Sequence, residues 1–379
     1  MTGTIPLGEL VTIRGGGTPS RSVPAYWNGD IRWATVKDFK STLLAETEES
    51  ITPEGIKGSA TSVIPAGSVI VPTRMAVGKA AINTIDLAIN QDLKALLPNS
   101  EVDNRFLLHF MLAQGQYLES QAQGATVKGI KLDLLRSLPF PRISPSEQRR
   151  IAAVLDKADA VHRKREQALA LADDFLTSVF LEMFGDPTRL SSGNPVLSDV
   201  ADVARGRFSP RPRNDPRYYD GDFPFIQTGE IANSEGYLSE YRQTLNEAGI
   251  KVSKSFPAGT VFIAIVGATI GATSVSTRRF WCPDSVIGIV PKSNAVPAEF
   301  IEFLLRFWRP IFIETAPSTA RANINLQTLN IVRIPEANTS APARFAEIFK
   351  RTYEFKRKLT CMESGLLPSL SQRAFHGEL

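Results

Sequence analysis

The sequence predicts a mixed α+β protein (α/β in the broad sense), with two duplicated globular domains separated by two long helices that pair as an antiparallel coiled coil. The first supporting observation is repetition. Leu7-Gly8-Glu9-Leu10, leading to Arg14-Gly15, returns as Leu197-Ser198-Asp199-Val200, leading to Arg205-Gly206. Gly29-Asp30-Ile31-Arg32-Trp33 returns as Gly221-Asp222-Phe223-Pro224-Phe225, and Pro65-Ala66-Gly67-Ser68-Val69 as Pro257-Ala258-Gly259-Thr260-Val261. Ile130, Leu132, Leu138 and Pro141 return as Ile324, Leu326, Val332 and Pro335. The offset of about 190 residues is far beyond the roughly 20 to 50 of a solenoid unit, so it marks a duplicated domain. The second observation is a long apolar seam at helical spacing after each copy.

Residues 1–143 form the first domain. Short apolar runs such as Ser68-Val69-Ile70-Val71, bounded by turn residues, read as strands. Val102 to Glu119 reads as one helix, with Phe106, Leu107, Phe110, Met111, Ala113 and Leu118 on one face. Pro139-Phe140-Pro141 closes the unit, because neither proline can continue a helix.

Residues 144–186 are the central helix. Ser144 is placed as N-cap, with Pro145 first in the helix and Glu147 third. Ile151, Leu155, Ala158, His162, Arg165, Leu169, Ala172, Leu176, Val179 and Met183 then step by four and three, a heptad seam. About forty residues at 1.5 Å each make a rod of roughly 60 Å. Gly185-Asp186-Pro187 stops it.

Residues 187–339 are the second domain and 340–379 the C-terminal helix, whose seam is Phe345, Ile348, Thr352, Phe355, Leu359, Met362 and Leu366 up to Pro368. One such seam exposes a greasy stripe, and two on one chain most simply cover each other. The alternative is that each helix packs on its own globular unit.

Bulk properties narrow the function. At 379 residues, with 43% hydrophobic and 22% charged content, the chain suits two to three ordinary globular domains. Its net charge of +4 permits a nucleic-acid partner without demanding one. Cys282 and Cys361 lack Cys/His neighbours at zinc spacing, so no metal is expected, and two free thiols fit a reducing cytoplasm. Met1 to Ser20 has no signal-peptide pattern. Pro257 to Thr277 is uncharged, yet its twin around Ile70 to Ile82 carries Arg74 and Lys79. It therefore reads as two buried strands and a turn, with no membrane association expected.

Catalytic signatures are missing. There is no GxxxxGK[ST], no glycine-rich cofactor loop after a strand and no Asn/Asp-Pro-Pro-aromatic clamp for a flipped base. Gly267-Ala268-Thr269-Ile270-Gly271 reads as a tight turn. His109, His162 and His376 fall on helix or tail positions that fit structural roles.

DNA contact requires cations for phosphates and forked side chains for base edges. The densest candidate runs from Arg205 to Arg213, with Arg207, Ser209, Arg211 and Arg213 in a stiff, proline-rich basic loop. Its counterpart, Gly15 to Arg21, supplies Thr18, Ser20 and Arg21. Further candidates are Lys37, Lys40, Arg74, Lys79, Lys128 and Lys131 in the first copy, and Arg278, Arg279, Arg321, Asn323 and Asn325 in the second. A plain solvated surface is the competing reading for each.

Some of these residues also carry a family likeness. Leu7 to Ser20, followed by Tyr26-Trp27-Asn28-Gly29-Asp30-Ile31-Arg32-Trp33, resembles the opening of a target recognition domain in the specificity (S) subunit of type I restriction-modification enzymes. Gly78-Lys79, Asn90-Gln91, Gly124 to Ile130, Leu138-Pro139-Phe140-Pro141 with Glu147-Gln148-Arg149-Arg150-Ile151, and Phe375-His376-Gly377-Glu378-Leu379 extend the likeness over the whole chain. The second copy departs from it, with Arg207-Phe208-Ser209-Pro210 against Gly17-Thr18-Pro19 and Ala341-Pro342-Ala343 against Glu147-Gln148-Arg149.

The resemblance implies a non-catalytic DNA-reading subunit. Each target recognition domain would read half of a bipartite site in double-stranded DNA. The helices, through Ile151, Leu155, Leu169, Leu176, Phe345, Ile348, Phe355, Leu359 and Met362, would set the spacer and dock two methyltransferase (M) subunits. Restriction (R) translocase-nuclease subunits would join. S-adenosylmethionine, ATP and Mg would then reside on the partners, with no cofactor on this chain. The rival expectations are a self-contained restriction or modification enzyme and a coiled-coil scaffold that never touches DNA.

Overall fold

The computed structural model describes residues 3–124, 127–315, 324–335, 339–361, 370 and 373–375. The chain divides into two compact units, residues 1–165 with 363–379, and residues 166–362.

The duplication holds in the strand order of both larger sheets. In the first unit a five-stranded sheet runs in the order Val11–Gly15, Leu93–Pro98, Val69–Pro72, Ala81–Asn83, Leu43–Leu44. A four-stranded sheet runs Glu49–Ile51, Trp27–Ala34, Leu87–Ile89, Val63–Ile64. The second unit repeats both orders, with Ala201–Arg205, Val286–Pro291, Val261–Ala264, Thr273–Ser276, Tyr237–Leu238, and with Gln243–Leu245, Tyr219–Phe225, Phe280–Cys282, Lys254–Phe256. Val261–Ala264 and Thr273–Ser276 pair antiparallel across a short turn at Gly267–Thr269, as expected for the uncharged stretch. No helix among the described residues is long and apolar enough to cross a membrane.

The repeated Gly-Asp motif has a backbone cause. Trp27 and Ile31 both register on Ile51, and Tyr219 and Phe223 both on Leu245, so each copy carries a bulge at the same place. A Cβ on Gly29 would meet the Ile51 carbonyl oxygen at 2.6 Å, and one on Gly221 the Leu245 carbonyl oxygen at 2.5 Å. Only glycine allows that approach.

The helix expected from Val102 to Glu119 is two helices, Asn104–Ala113 and Gly115–Gln121. The apolar spacing runs across the join, which is why the sequence reads as continuous. Gly115 packs against Gly78, where a Cβ would lie 2.8 Å from the Gly78 carbonyl oxygen, and the chain turns to make that contact.

The central helix spans Pro145–Phe184. The Ser144 hydroxyl caps the Glu147 amide at 3.3 Å. Gln148, almost fully buried, staples the helix start to the first unit: its Oε1 accepts from the Asp103 amide, and its Nε2 donates to the Glu101 and Ile143 carbonyls. Ile151, Ala152 and Leu155 enter the same core as Phe106 and Phe110, and Phe375 lies against both rings at 5.3 and 5.7 Å.

The second unit is assembled alike. Its core helix, Ala298–Thr315, is met by Phe345 and Phe349 at the start of the C-terminal helix Ala341–Cys361, and by Leu176, Phe180 and Phe184 at the end of the central helix. Phe180 alone contacts Phe184, Phe300, Phe303, Phe307 and Phe345, with ring centroids 5.0 to 5.7 Å apart. Within this unit the two long helices run antiparallel, because Phe180 meets Phe345 while Asp173, earlier on one helix, pairs with Lys356, later on the other, at 2.8 Å.

The heptad seam needs one correction. Phe355 is 49% exposed, whereas Phe349 is buried and Lys356 faces Asp173. At about 100° per residue, ten residues from Phe345 fall about 80° short of a whole number of turns, while eleven return to within about 20°. An α-helix has 3.6 residues per turn, so a strict heptad drifts by about 20° per repeat, and Phe355 falls off the stripe that Phe345 and Phe349 bury. Leu169, Ile348 and Leu359 are half-buried, and Met362 lies outside the described residues.

Candidate nucleic-acid interface

In the first unit the loop after Val11–Gly15 is pinned at its base. The Gly17 amide donates to the Ile89 carbonyl at 3.0 Å, and Trp33 Nε1 donates to the Gly17 carbonyl at 3.0 Å. Trp27 Nε1 holds the Ser20 carbonyl at 3.1 Å. Arg21 lies over the Trp27 ring, 3.7 Å from its centroid, and forks onto Glu49, with Nη2 donating to Oε2 at 2.8 Å. Those hydrogen bonds hold the Glu49 carboxyl below its ordinary pKa, with the nearby Lys37 charge adding to the effect. Lys40 pairs with Glu48 at 3.1 Å, and the Lys79 ammonium reaches back to the Phe39 carbonyl at 3.4 Å.

A second group gathers beside the same loop. The Thr18 hydroxyl hydrogen-bonds the Gln91 side chain, and Lys94 Nζ donates to the Gln91 carbonyl at 2.7 Å. Arg74 approaches Asp92 at 3.8 Å and pairs across a β-bridge with Gly129, next to Lys128. Arg74, Gln91, Gln121, Gln123 and Lys131 line a cleft of about 730 Å³. Arg74 and Lys131 thus line this cleft, and Thr18 adjoins it through Gln91. Lys128 meets it only through its backbone carbonyl, which accepts from the Met75 amide. Arg21 and Lys37 belong to the Glu49 group and Lys79 to the Phe39 turn. Sequence reasoning missed Gln121 and Gln123, which carry no charge signal, and quoted Gln91 only as part of a motif.

In the second unit the equivalent loop is tied down in the same way, the Arg207 amide donating to the Cys282 carbonyl at 3.0 Å. Beyond that tie the two loops diverge. Arg213 Nη2 donates to Asp284 Oδ1 at 2.6 Å, Arg211 Nη2 lies 4.0 Å from Oδ2, and Arg205 Nε donates to the Asp284 carbonyl. Arg211 Nη1 also donates to the Pro210 carbonyl at 2.8 Å and the Phe208 carbonyl at 3.2 Å, which braces the loop. Arg207 reaches the Ser253 carbonyl at 3.4 Å, and Ser209 is exposed beside it. Asp284 is the anchor of the basic loop.

Arg278 and Arg279 sit before strand Phe280–Cys282, whereas Asp284 follows it, so the structure places them at opposite ends of that strand. Arg278 rests near the Tyr241 ring at 5.8 Å and Arg279 contacts Ser255 at 3.4 Å. Arg321 and Asn323 lie outside the described residues. Asn325 caps the helix Leu326–Asn330, accepting from the Thr328 amide at 2.8 Å. Among the described residues no cluster of three or more His, Cys, Asp or Glu side chains is placed to hold a metal ion. His109 contacts Asp156 at 2.8 Å on the edge of the core.

The chain matches the family model for the type I restriction modification DNA specificity domain twice, over residues 3–171 and 196–360. It is 29% identical over 265 residues to the MjaIX type I restriction enzyme specificity subunit of Methanocaldococcus jannaschii, covering 64% of this chain and 60% of that one. It is 33% identical over 162 residues to the EcoR124I/EcoR124II specificity subunit of Escherichia coli, covering 41% and 40%. The matched stretches therefore span less than two thirds of those relatives. The fold is similar to that of a type I restriction-modification S subunit from M. genitalium, with TM-score 0.63 and 14% identity, over 98% of this chain and 95% of that one. With a duplicated topology and a family match over both copies, the chain belongs to the type I restriction modification DNA specificity domain family.

Proposed function

We propose that this chain is the DNA-specificity subunit of a type I restriction-modification complex, each unit reading one half of a bipartite site in double-stranded DNA. The observation that carries the proposal is a repeated scaffold with divergent chemistry. Gln91 and Asp284 each stand two residues before the equivalent strands Leu93–Pro98 and Val286–Pro291, and each anchors the facing loop. One is an amide paired with a threonine, the other a carboxylate gathering arginines. Two similar frames with different readers suit two different half-sites.

In this reading the chain is not itself catalytic. Two methyltransferase subunits supply the chemistry and S-adenosylmethionine, restriction subunits supply ATP- and Mg-dependent translocation and cleavage, and the assembly works in the cytoplasm. The long helices set the spacer and dock the methyltransferases.

Fluorescent random duplex titrated with the full chain at rising salt tests the DNA-binding part. Neutralising several phosphates makes log affinity fall linearly with log salt, by about 0.9 per phosphate contacted. A steep slope supports the reading, and absent or salt-independent binding refutes it. Methyl transfer to DNA by the purified chain without partners would refute the division of labour.

A further inference from the structure

We propose that Arg213 reads a guanine in the half-site bound by the second unit, and that Asp284 is the positioning residue that aims it. The inference rests on the proposed DNA-reading function and deepens it to a base and a pair of side chains.

Arg213 is held at both ends. Its carbonyl accepts a hydrogen bond from the Tyr219 hydroxyl, and its Nη2 donates to Asp284 Oδ1 at 2.6 Å. Tyr219 is itself half-buried and packed against Phe208 and Phe225, at 5.7 and 6.1 Å between centroids, so that anchor rests on the core. The Arg213 side chain is still 49% exposed. Its Nε and Nη1 have no hydrogen-bond partner among the described residues, and a guanidinium carries five donors in a rigid fork. A restrained fork with spare donors suits bidentate contact with the O6 and N7 acceptors of guanine.

The neighbouring arginines are employed otherwise. Arg211 spends Nη1 on loop carbonyls, Arg205 spends Nε on the Asp284 carbonyl, and Arg217 is paired with Asp215 at 2.6 Å. Arg211 and Arg217 are more exposed than Arg213, at 59% and 79% against 49%, but Arg217 commits both Nε and Nη2 to Asp215 and Arg211 commits Nη1 to the loop, whereas Arg213 commits Nη2 alone. The first unit offers the complementary control. There Lys94 takes the Gln91 carbonyl as Arg205 takes that of Asp284, but the Gln91 side chain holds the Thr18 hydroxyl where Asp284 holds an arginine.

A carboxylate beside DNA repels phosphate, so Asp284 weakens indiscriminate binding while sharpening the aim of Arg213. That opposition separates positioning from mere structural support. The experiment is selection of bound duplexes from a randomised pool by the full chain and by Asp284→Asn, Asp284→Glu and Arg213→Lys, with a salt titration on random duplex and a thermal melt for each.

For Asp284→Asn we expect about a ten- to hundred-fold loss of preference at one guanine of one half-site, the scale of a single bidentate pair. Affinity for random duplex should be unchanged or higher, and the other half-site untouched. Arg213→Lys should lose the same guanine preference with its salt dependence retained, because it keeps the charge and loses the fork. Asp284→Glu should recover part of the preference. If the parent selects a bipartite site and both Asp284→Asn and Arg213→Lys leave every position unchanged, the assignment is overturned and the specificity reading stands. A uniform loss of specific and random binding by folded Asp284→Asn also overturns it. If the parent selects no sequence at all, the reading on which it rests fails.

Discussion

Phe180→Ala and Phe355→Ala together test where the long helices are buried. Phe180 is fully buried and touches five aromatic rings of the second unit. Truncating a phenylalanine in a packed core costs about 3 to 5 kcal/mol, because transfer energy is lost and the cavity collapses only in part. Each aromatic pair adds about 0.5 to 1.5 kcal/mol beyond area, though five pairs sharing one ring do not add independently. For Phe180→Ala the expected loss is about 4 to 5 kcal/mol, the upper part of that core range. Phe355 is 49% exposed, and its truncation should stay within about 0.5 kcal/mol of the parent. The assay is urea unfolding of the full chain, followed by hydrogen exchange to assign each transition to a unit. The heptad reading makes Phe355 a core residue like Phe345. Equal losses for the two variants would therefore refute the exposed placement of Phe355.

Three further outcomes are expected. In a Cys361→Ser background, Cys282 should resist thiol alkylation at pH 8 until the protein unfolds, because burial raises its pKa and closes access; rapid stoichiometric labelling of native protein would contradict this. Gln148→Ala should cost about 2 to 3 kcal/mol, since it strips the partners of the Asp103 amide and the Glu101 and Ile143 carbonyls, and a change below about 0.5 kcal/mol in unfolding would refute the staple. Four residues inserted near Ala168 should add about 6 Å of helix and lengthen the preferred spacer by one or two base pairs, with both half-sites intact; an unchanged spacer in an active complex would rule out the helix as the ruler.

The duplication is legible in the sequence because it rests on local backbone requirements: a bulge that needs Gly29 and Gly221, and paired strand runs at Val69–Pro72 and Val261–Ala264. The long helix is legible from its cap at Ser144 and its uninterrupted composition. The features that escape depend on distant partners. The break at Gln114 places Gly115 against Gly78, and periodicity within the helix does not record it. The side on which Phe355 falls depends on what the helix packs against, and ten residues from Phe345 it lies about 80° off the buried stripe. The role of Asp284 arises from a contact 71 residues away along the chain, which no local pattern in the sequence records. Charge does mark the Arg205 to Arg213 loop, but not which arginine braces and which keeps spare donors.

The most direct test of two independent readers is a genome-wide map of methylated adenines in a host carrying this chain with the methyltransferase subunit proposed for it. The same map is then taken after residues 1–143 are replaced by those of a relative. The account predicts one interrupted motif for the parent, and for the exchange a motif with one half replaced and the other half retained. Both halves changing together, or an uninterrupted motif in the parent, would contradict it.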